Sequence, residues 1–324
     1  MNTALPIRLL TSLLSPAGAH ARLSILIYHR VLAVEDPLFP NELDAAGFEA
    51  QMRLLMGAFH FIPLGEAVTA LQRGALPARA ACITFDDGYA DNAAIALPIL
   101  QRLGLPATFF VATGFLDGGR MWNDTVIELV RGAPGTVLDL SAMNFGKVDL
   151  SSLKKRREAI PGLLGRLKYL PLSERFQMVE RMRALADVEL PTNLMMTSAQ
   201  VRGLHSAGME IGGHTVNHPI LATLDHGAAE TEIANGKATL EKIIGAPVNL
   251  FAYPNGKPDQ DYRAEHAAIV RRLGFSAAVS TAWGSSSARS DKFELPRFTP
   301  WDRTNMRFLL RMAQNLRRDS QRAQ

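Results

Sequence analysis

Short, almost wholly apolar runs alternate along this chain with longer stretches whose apolar residues recur every three or four positions. Residues 23–28, 81–85 and 107–111 have the length and continuity of strands buried on both faces. After the first, Asp44 can cap a helix whose apolar side is Phe48, Met52, Leu55 and Met56. After the second, the pattern predicts a helix over 92–103 that Gly104 terminates. From about 117 to 197 the rhythm changes: 122–130, 153–168 and 172–186 read as helices joined by loops, an insertion or lid. The alternation resumes with a strand at 209–212, a helix at 225–244, a strand at 249–252, a helix at 261–273, a strand at 277–280 and a closing helix from Asn305. Strands alternating with helices imply parallel pairing with the helices packed outside. About seven strands point to a barrel, with an open doubly wound sheet as the alternative. No Gly-rich phosphate loop follows any strand, which argues against a nucleotide-binding version.

Composition narrows the picture. With 324 residues, 47% hydrophobic and 20% charged, the chain can fill one large core or two small ones and is not a disordered type. Its single cysteine, Cys82, excludes an intramolecular disulfide and any multi-Cys zinc site. A net charge of +4 is too small to argue for nucleic acid. Much of the excess lies in Arg303, Arg307, Arg311, Arg317, Arg318 and Arg322, expected to form the solvated face of a basic helix over 303–324. Residues 1–22 are expected to form an amphipathic segment ahead of the main domain at 23–302. Their apolar run is broken by Thr11, Ser12 and Pro16, unlike the roughly 7–15 continuous apolar residues of a signal peptide. No stretch reaches the roughly 18 apolar residues of a spanning helix. The expectation is a cytoplasmic protein, with peripheral membrane contact allowed and the periplasm left open.

Parallel barrels gather their chemistry at the C-terminal ends of the strands, so polar residues directly after apolar runs matter most. Thr84-Phe85-Asp86-Asp87-Gly88-Tyr89 places two carboxylates on successive residues. On extended backbone they point to different sides, so one can ligate a metal while the other takes a proton; an ordinary turn is the alternative. His214-Thr215-Val216-Asn217-His218 offers two imidazoles that can converge on one late first-row cation. In Tyr253-Pro254-Asn255-Gly256 a rigid turn would expose backbone N–H groups to an oxyanion, or merely connect a strand to a helix. His29, after Tyr28, and Arg297, in Leu295-Pro296-Arg297-Phe298, also end apolar runs. Arg297 would orient a carboxylate or make a surface ion pair.

Together and in this order, Thr-Phe-Asp-Asp-Gly-Tyr, His-Thr-x-x-His and Tyr-Pro-x-Gly resemble the polysaccharide deacetylases, the NodB-homology family also called carbohydrate esterase family 4, over about residues 23–297. The resemblance implies a deformed (β/α)7 barrel, here with a helical insertion, that binds one divalent metal and removes N-acetyl groups from amino sugars. Residue by residue, it implies Asp86 as general base, Asp87, His214 and His218 as the metal triad, and the Asn255 backbone N–H as oxyanion donor. The chain departs from the usual pattern twice. Ala252 stands where an Arg normally holds the base, and no His follows His266 to supply the late catalytic acid. Both departures are similar to the circularly permuted branch of biofilm poly-N-acetylglucosamine deacetylases. That likeness implies His29 as the acid and Arg297 as the replacement partner of Asp86. The implied cofactor is zinc, with cobalt or nickel as alternatives, and the implied partner is a glycan or lipid-linked amino-sugar substrate. Tyr253, Trp122 and Asp124 are the expected substrate contacts, although Trp122 can equally be read as a core anchor. Two rival readings stand beside this one: the same metal site acting on esters or non-sugar amides, and a glycan-binding module without activity.

Overall fold

The computed structural model describes residues 4–186, 188–300, 302, 304–319 and 322–323. In chain order the elements are α1 (Ala4–Leu14), β1 (Ser24–Tyr28), α2 (Ala45–Met56), β2 (His60–Phe61), α3 (Leu64–Gln72), β3 (Ala80–Phe85), α4 (Leu97–Leu103) and β4 (Thr108–Val111). Then come α5 (Trp122–Gly132), β5 (Val137–Leu140), β6 (Gly146–Asp149), α6 (Leu153–Leu167), α7 (Leu172–Ala186) and α8 (Ser198–Ser206). The chain continues with β7 (Glu210–Gly213), α9 (His226–Ile244), β8 (Leu250–Ala252), α10 (Ala264–Arg272), β9 (Ala277–Val279) and α11 (Asn305–Asn315). Local chemistry sets several boundaries. The Asp44 and Asp225 side chains accept from the Gly47 and Ala228 N–H groups, capping α2 and α9. Gly104 and Gly245 end α4 and α9 in the left-handed conformation that glycine adopts without strain.

All pairings in the main sheet are parallel, in the order β1-β3-β4-β7-β8-β9, with β2 beside the start of β3. The curled sheet is joined edge to edge by residues 295–298. Leu295 bridges Val279 of β9, and Phe298 bridges Leu26 of β1, its N–H donating to the Ile25 carbonyl at 2.7 Å. Side chains alternate across this wall, as the strand period requires. Ile25, Cys82, Phe110, Ala252, Val279 and Leu295 share an interior cluster, while Leu26, Ile83, Phe85, Phe109 and Val111 pack outward against the helices. This is the curled parallel barrel with surrounding helices that the alternation predicted, and not an open doubly wound sheet.

A third cluster stands apart. Val126, Leu129, Leu163, Leu167, Val179 and Met182 bring together α5, α6 and α7 over the antiparallel β5–β6 hairpin.

Several details differ from the sequence reading. Strand β2, helices α3 and α8, and the β5–β6 hairpin were not expected; two- and four-residue strands are too short to show a period. The expected helix at 92–103 opens as a π-helical turn over Asn92–Ala96, with Pro98, which has no N–H to give, at the junction with α4. The helix expected from 261 starts at Ala264, because the Asp261 carboxylate accepts from the Lys257 N–H and holds a turn instead. The expected basic helix over 303–324 is the shorter α11, and it is not wholly solvated: Phe308, Leu309 and Met312 are buried, and Arg307 and Arg311 both pair with Asp302. Arg303 lies outside the described residues. Among the described residues no helix is long and apolar enough to cross a membrane.

Candidate active site

Strand β3 delivers the two carboxylates by its alternation. Cys82 and Thr84 point inward, so Asp86 continues on the interior side, above the apolar floor. There it meets Arg297, which is fully buried and binds it through two parallel bonds of 2.7 Å, Nη1 to Oδ1 and Nη2 to Oδ2. Arg297 is itself fixed: Nε donates to the Ser280 carbonyl at 2.9 Å and Nη1 to Thr84 Oγ1 at 3.2 Å. Burial pushes the Asp86 carboxyl up, but Arg297 and then His214 outweigh it, and the pKa lies below the usual carboxylate range.

Asp87 turns the other way on left-handed backbone (φ 76°), a conformation that a non-glycine residue adopts at a cost. Thr215 (φ 67°), His218 (φ 50°) and Asn255 (φ 59°) share that conformation, so strained backbone concentrates around this one site. The loop after β7 carries the two histidines. Nδ1 of His214 lies 2.7 Å from the Ala252 carbonyl, so it is the protonated nitrogen and Nε2 keeps its lone pair for the site. Helix α9 props the loop from beneath: the Glu232 carboxylate accepts the N–H groups of Val216 and Asn217 at 3.0 and 2.8 Å. A Cβ at Gly236 would lie 2.8 Å from the Thr215 carbonyl oxygen, so only glycine lets the helix come this close.

His214 Nε2 and His218 Nε2 approach Asp87 Oδ1 at 3.4 and 3.3 Å, and the ligand atoms of the three residues lie within 4.8 Å of one another. Asp87 Oδ1 is buried and accepts no hydrogen bond from the described residues, which is costly unless a cation satisfies it. Burial raises the Asp87 carboxyl, but His218 and His214 reverse this and leave it far below the ordinary range. Burial lowers His218 to about 4, keeping its imidazole neutral as a ligand must be. His214 is the opposite case: burial lowers its pKa, but Asp86 and Asp87 together raise it above the ordinary value. Two imidazoles and a carboxylate, fewer than the four ligands of a closed structural site, fit a divalent ion of the zinc class.

Asp86, Asp87, His214 and His218 line a cavity of about 540 Å³. His29, exposed at the end of β1, and Asn255, after β8, line it. Trp122 and Asp124 also line it, so the start of α5 does reach the cavity. Tyr253 does not. It is fully buried, its hydroxyl donates to the Phe293 carbonyl at 2.9 Å, and its ring stacks on Tyr262 at 3.9 Å, so the expected substrate contact is a core residue. Sequence reasoning also missed a polar chain beside the triad. Arg30 pairs with Asp91 at 2.8 Å and lies over Tyr89, whose hydroxyl donates to Asp124 at 3.1 Å. Burial raises Asp124 to about 7, and its Oδ2 is buried without a donor among the described residues. Tyr89 closes a recognised motif and Arg30 and Asp91 adjoin motifs, which was the available signal; Glu232 looked like any other helix glutamate.

A sequence model of one enzyme family, described as polysaccharide deacetylase, matches residues 73–134 and 177–278. A Bacillus subtilis protein, YxkH, whose name places it among polysaccharide deacetylases, is 22% identical over 279 residues, 86% of this chain and 71% of its own. Among solved structures, the Streptococcus pyogenes deacetylase PplD in complex with acetate has a TM-score of 0.60 at 22% identity, covering 90% of this chain and 97% of that one. IcaB from Ammonifex degensii has a TM-score of 0.58 at 19% identity, covering 94% and 99%. These structures share the fold.

Proposed function

The chain belongs to the polysaccharide deacetylase family, and from that premise we propose that it is a metal-dependent hydrolase that removes N-acetyl groups from an N-acetylhexosamine-containing glycan and releases acetate. The observation that carries this reading is the division of labour between two adjacent carboxylates. Asp86 is locked and kept ionised by Arg297, while Asp87 Oδ1 stands without a donor before two imidazole nitrogens.

Asp87, His214 and His218 would hold the cation, zinc by preference, with cobalt or nickel compatible with the same donors. When bound, that ion supplies positive charge that polarises an acyl carbonyl and acidifies water. Asp86, ionised at neutral pH, takes the proton from the attacking water, and Arg297 fixes which lone pair faces it. The Asn255 N–H meets the oxygen on which negative charge develops; one such donor is typically worth roughly 3 kcal/mol. His29 gives a proton to the amine nitrogen as the C–N bond breaks, since an unprotonated amide nitrogen is a poor leaving group.

The reading is tested by acetate release from N-acetylglucosamine oligomers, comparing metal-loaded wild type with Asp86→Asn and His29→Ala. Release that Asp86→Asn abolishes and His29→Ala lowers by on the order of 10²–10⁴ supports both roles. Full activity in His29→Ala removes the acid assignment and leaves the rest. No release by a wild type that binds its metal sends the reading to esters or non-sugar amides.

A further inference from the structure

Several charged groups at the cavity are matched within the chain. Asp36 receives both Arg131 nitrogens at 3.0 and 2.6 Å, Arg30 pairs with Asp91, and Arg297 with Asp86. Arg175 is a buried cation there that has no such match among the described residues. It sits on α7 in the insertion, is only 5% exposed, and lines the cavity. Its guanidinium carbon lies 4.8 Å above the Trp122 ring, and Nη1 donates to the Lys168 carbonyl at 3.1 Å. Among the described residues no carboxylate acts on it, and burial alone lowers its pKa.

A guanidinium carries five N–H donors, and leaving a buried cation without a counter-charge is expensive. The open space in front of it is the cavity. Lys168 also lines the cavity, but its ammonium lies over the Tyr169 ring at 5.5 Å and faces Asp261, so Arg175 stands as the positive charge at this point. The flat fork, held against the Trp122 face, has the form that recognises a carboxylate or phosphate through paired bonds, which an ammonium alone does not.

We propose that Arg175 forms a subsite for an oxyanion carried by the glycan, either the carboxylate of an acidic sugar or a phosphate. This rests on the cavity being a glycan site and narrows the substrate class to acidic or phosphorylated amino-sugar chains. The reacting residues come from the barrel; the selecting charge comes from the insertion.

The test compares three N-acetylated oligosaccharides of equal length: a neutral N-acetylglucosamine oligomer, one alternating N-acetylglucosamine with glucuronic acid, and one bearing a 6-phosphate. Acetate release by wild type should favour at least one anionic chain over the neutral one by roughly tenfold in kcat/KM, mainly through KM. Arg175→Gln should bring that ratio close to one, and Arg175→Lys should keep part of it. Preference for the uronate or for the phosphate identifies the source of the charge. A wild-type ratio near one, or a ratio unchanged in Arg175→Gln, overturns the proposal. Calorimetric titration of the same chains and of inorganic phosphate into Asp86→Asn separates this result from the deacetylase reading, because it needs no turnover. Tighter binding of an anionic chain that Arg175→Gln removes supports the subsite even if no acetate appears. Equal binding of all three chains overturns it. Should Arg175→Gln fail to fold, the wild-type ratio and the binding by Arg175→Lys decide.

Discussion

The barrel rim and the helical insertion meet in one cavity but are built in opposite ways. On the rim, the side chains of the candidate site are held by neighbours from other elements: Asp86 by Arg297, His214 by the Ala252 carbonyl, and the histidine loop by Glu232. The insertion has its own core around Leu129, Leu163 and Met182, and it offers the cavity a stacked Trp122 and Arg175. The family pattern breaks inside the insertion, leaving residues 135–176 unmatched between its two matched stretches, where the β5–β6 hairpin, α6 and the first residues of α7 lie. On the proposed function, the difference means that a rigid frame holds the chemistry, while a separately packed attachment can alter what enters. Changes on the rim should therefore destroy rate or fold, and changes on the insertion should move KM.

The largest expected effect is on the rim. Asp87→Ala should lose the bound metal and lower kcat by on the order of 10²–10⁴ or more, read by metal content and acetate release. Arg297→Met leaves Asp86 buried and unpaired, so denaturant unfolding should show a loss of about 3–5 kcal/mol along with activity. Gly236→Ala forces a methyl against Thr215 and should cost about 1–3 kcal/mol while weakening metal affinity, measured by competition with a chelator.

Asp124 tests the border between the two regions through pH. Its pKa in the folded chain, about 7, lies above the unfolded value, so the folded state holds the proton more tightly. Stability is therefore lost as pH rises from the unfolded value through about 7. In metal-free protein, Asp124→Asn should gain more stability relative to wild type at pH 8 than at pH 5, by on the order of 1 kcal/mol. A gain that is larger at pH 5 contradicts the raised pKa. The smallest effect belongs to the insertion: Trp122→Ala should raise KM for a glycan by roughly tenfold and leave kcat nearly unchanged, the signature of lost uniform binding.

The legible part of the molecule follows the same division. Asp86 and His214 could be read because each directly follows a strand, and Asp87 and His218 because they lie in the same short motifs just beyond. Arg297 was open to two readings until its family likeness was considered, since residues 295–298 are ordered by bridges to β9 and β1 rather than by any period of their own. Tyr253 was misplaced because β8 spans only Leu250–Ala252, too short to show which face its successor takes. Arg175 and Glu232 carried no local signal at all. A basic or acidic residue on an amphipathic helix looks solvated until tertiary packing decides otherwise.

The central claim is that one cation at Asp87, His214 and His218 and the carboxylate of Asp86 act together on an acetyl group. Its most direct test is to strip the protein of metal, return zinc in steps, and follow bound ion and acetate release on the same sample. The account predicts that activity returns in proportion to zinc until about one ion is bound per chain, and that Asp86→Asn binds the ion without recovering activity. Acetate release that survives stripping, or that Asp86→Asn retains in full, would contradict it.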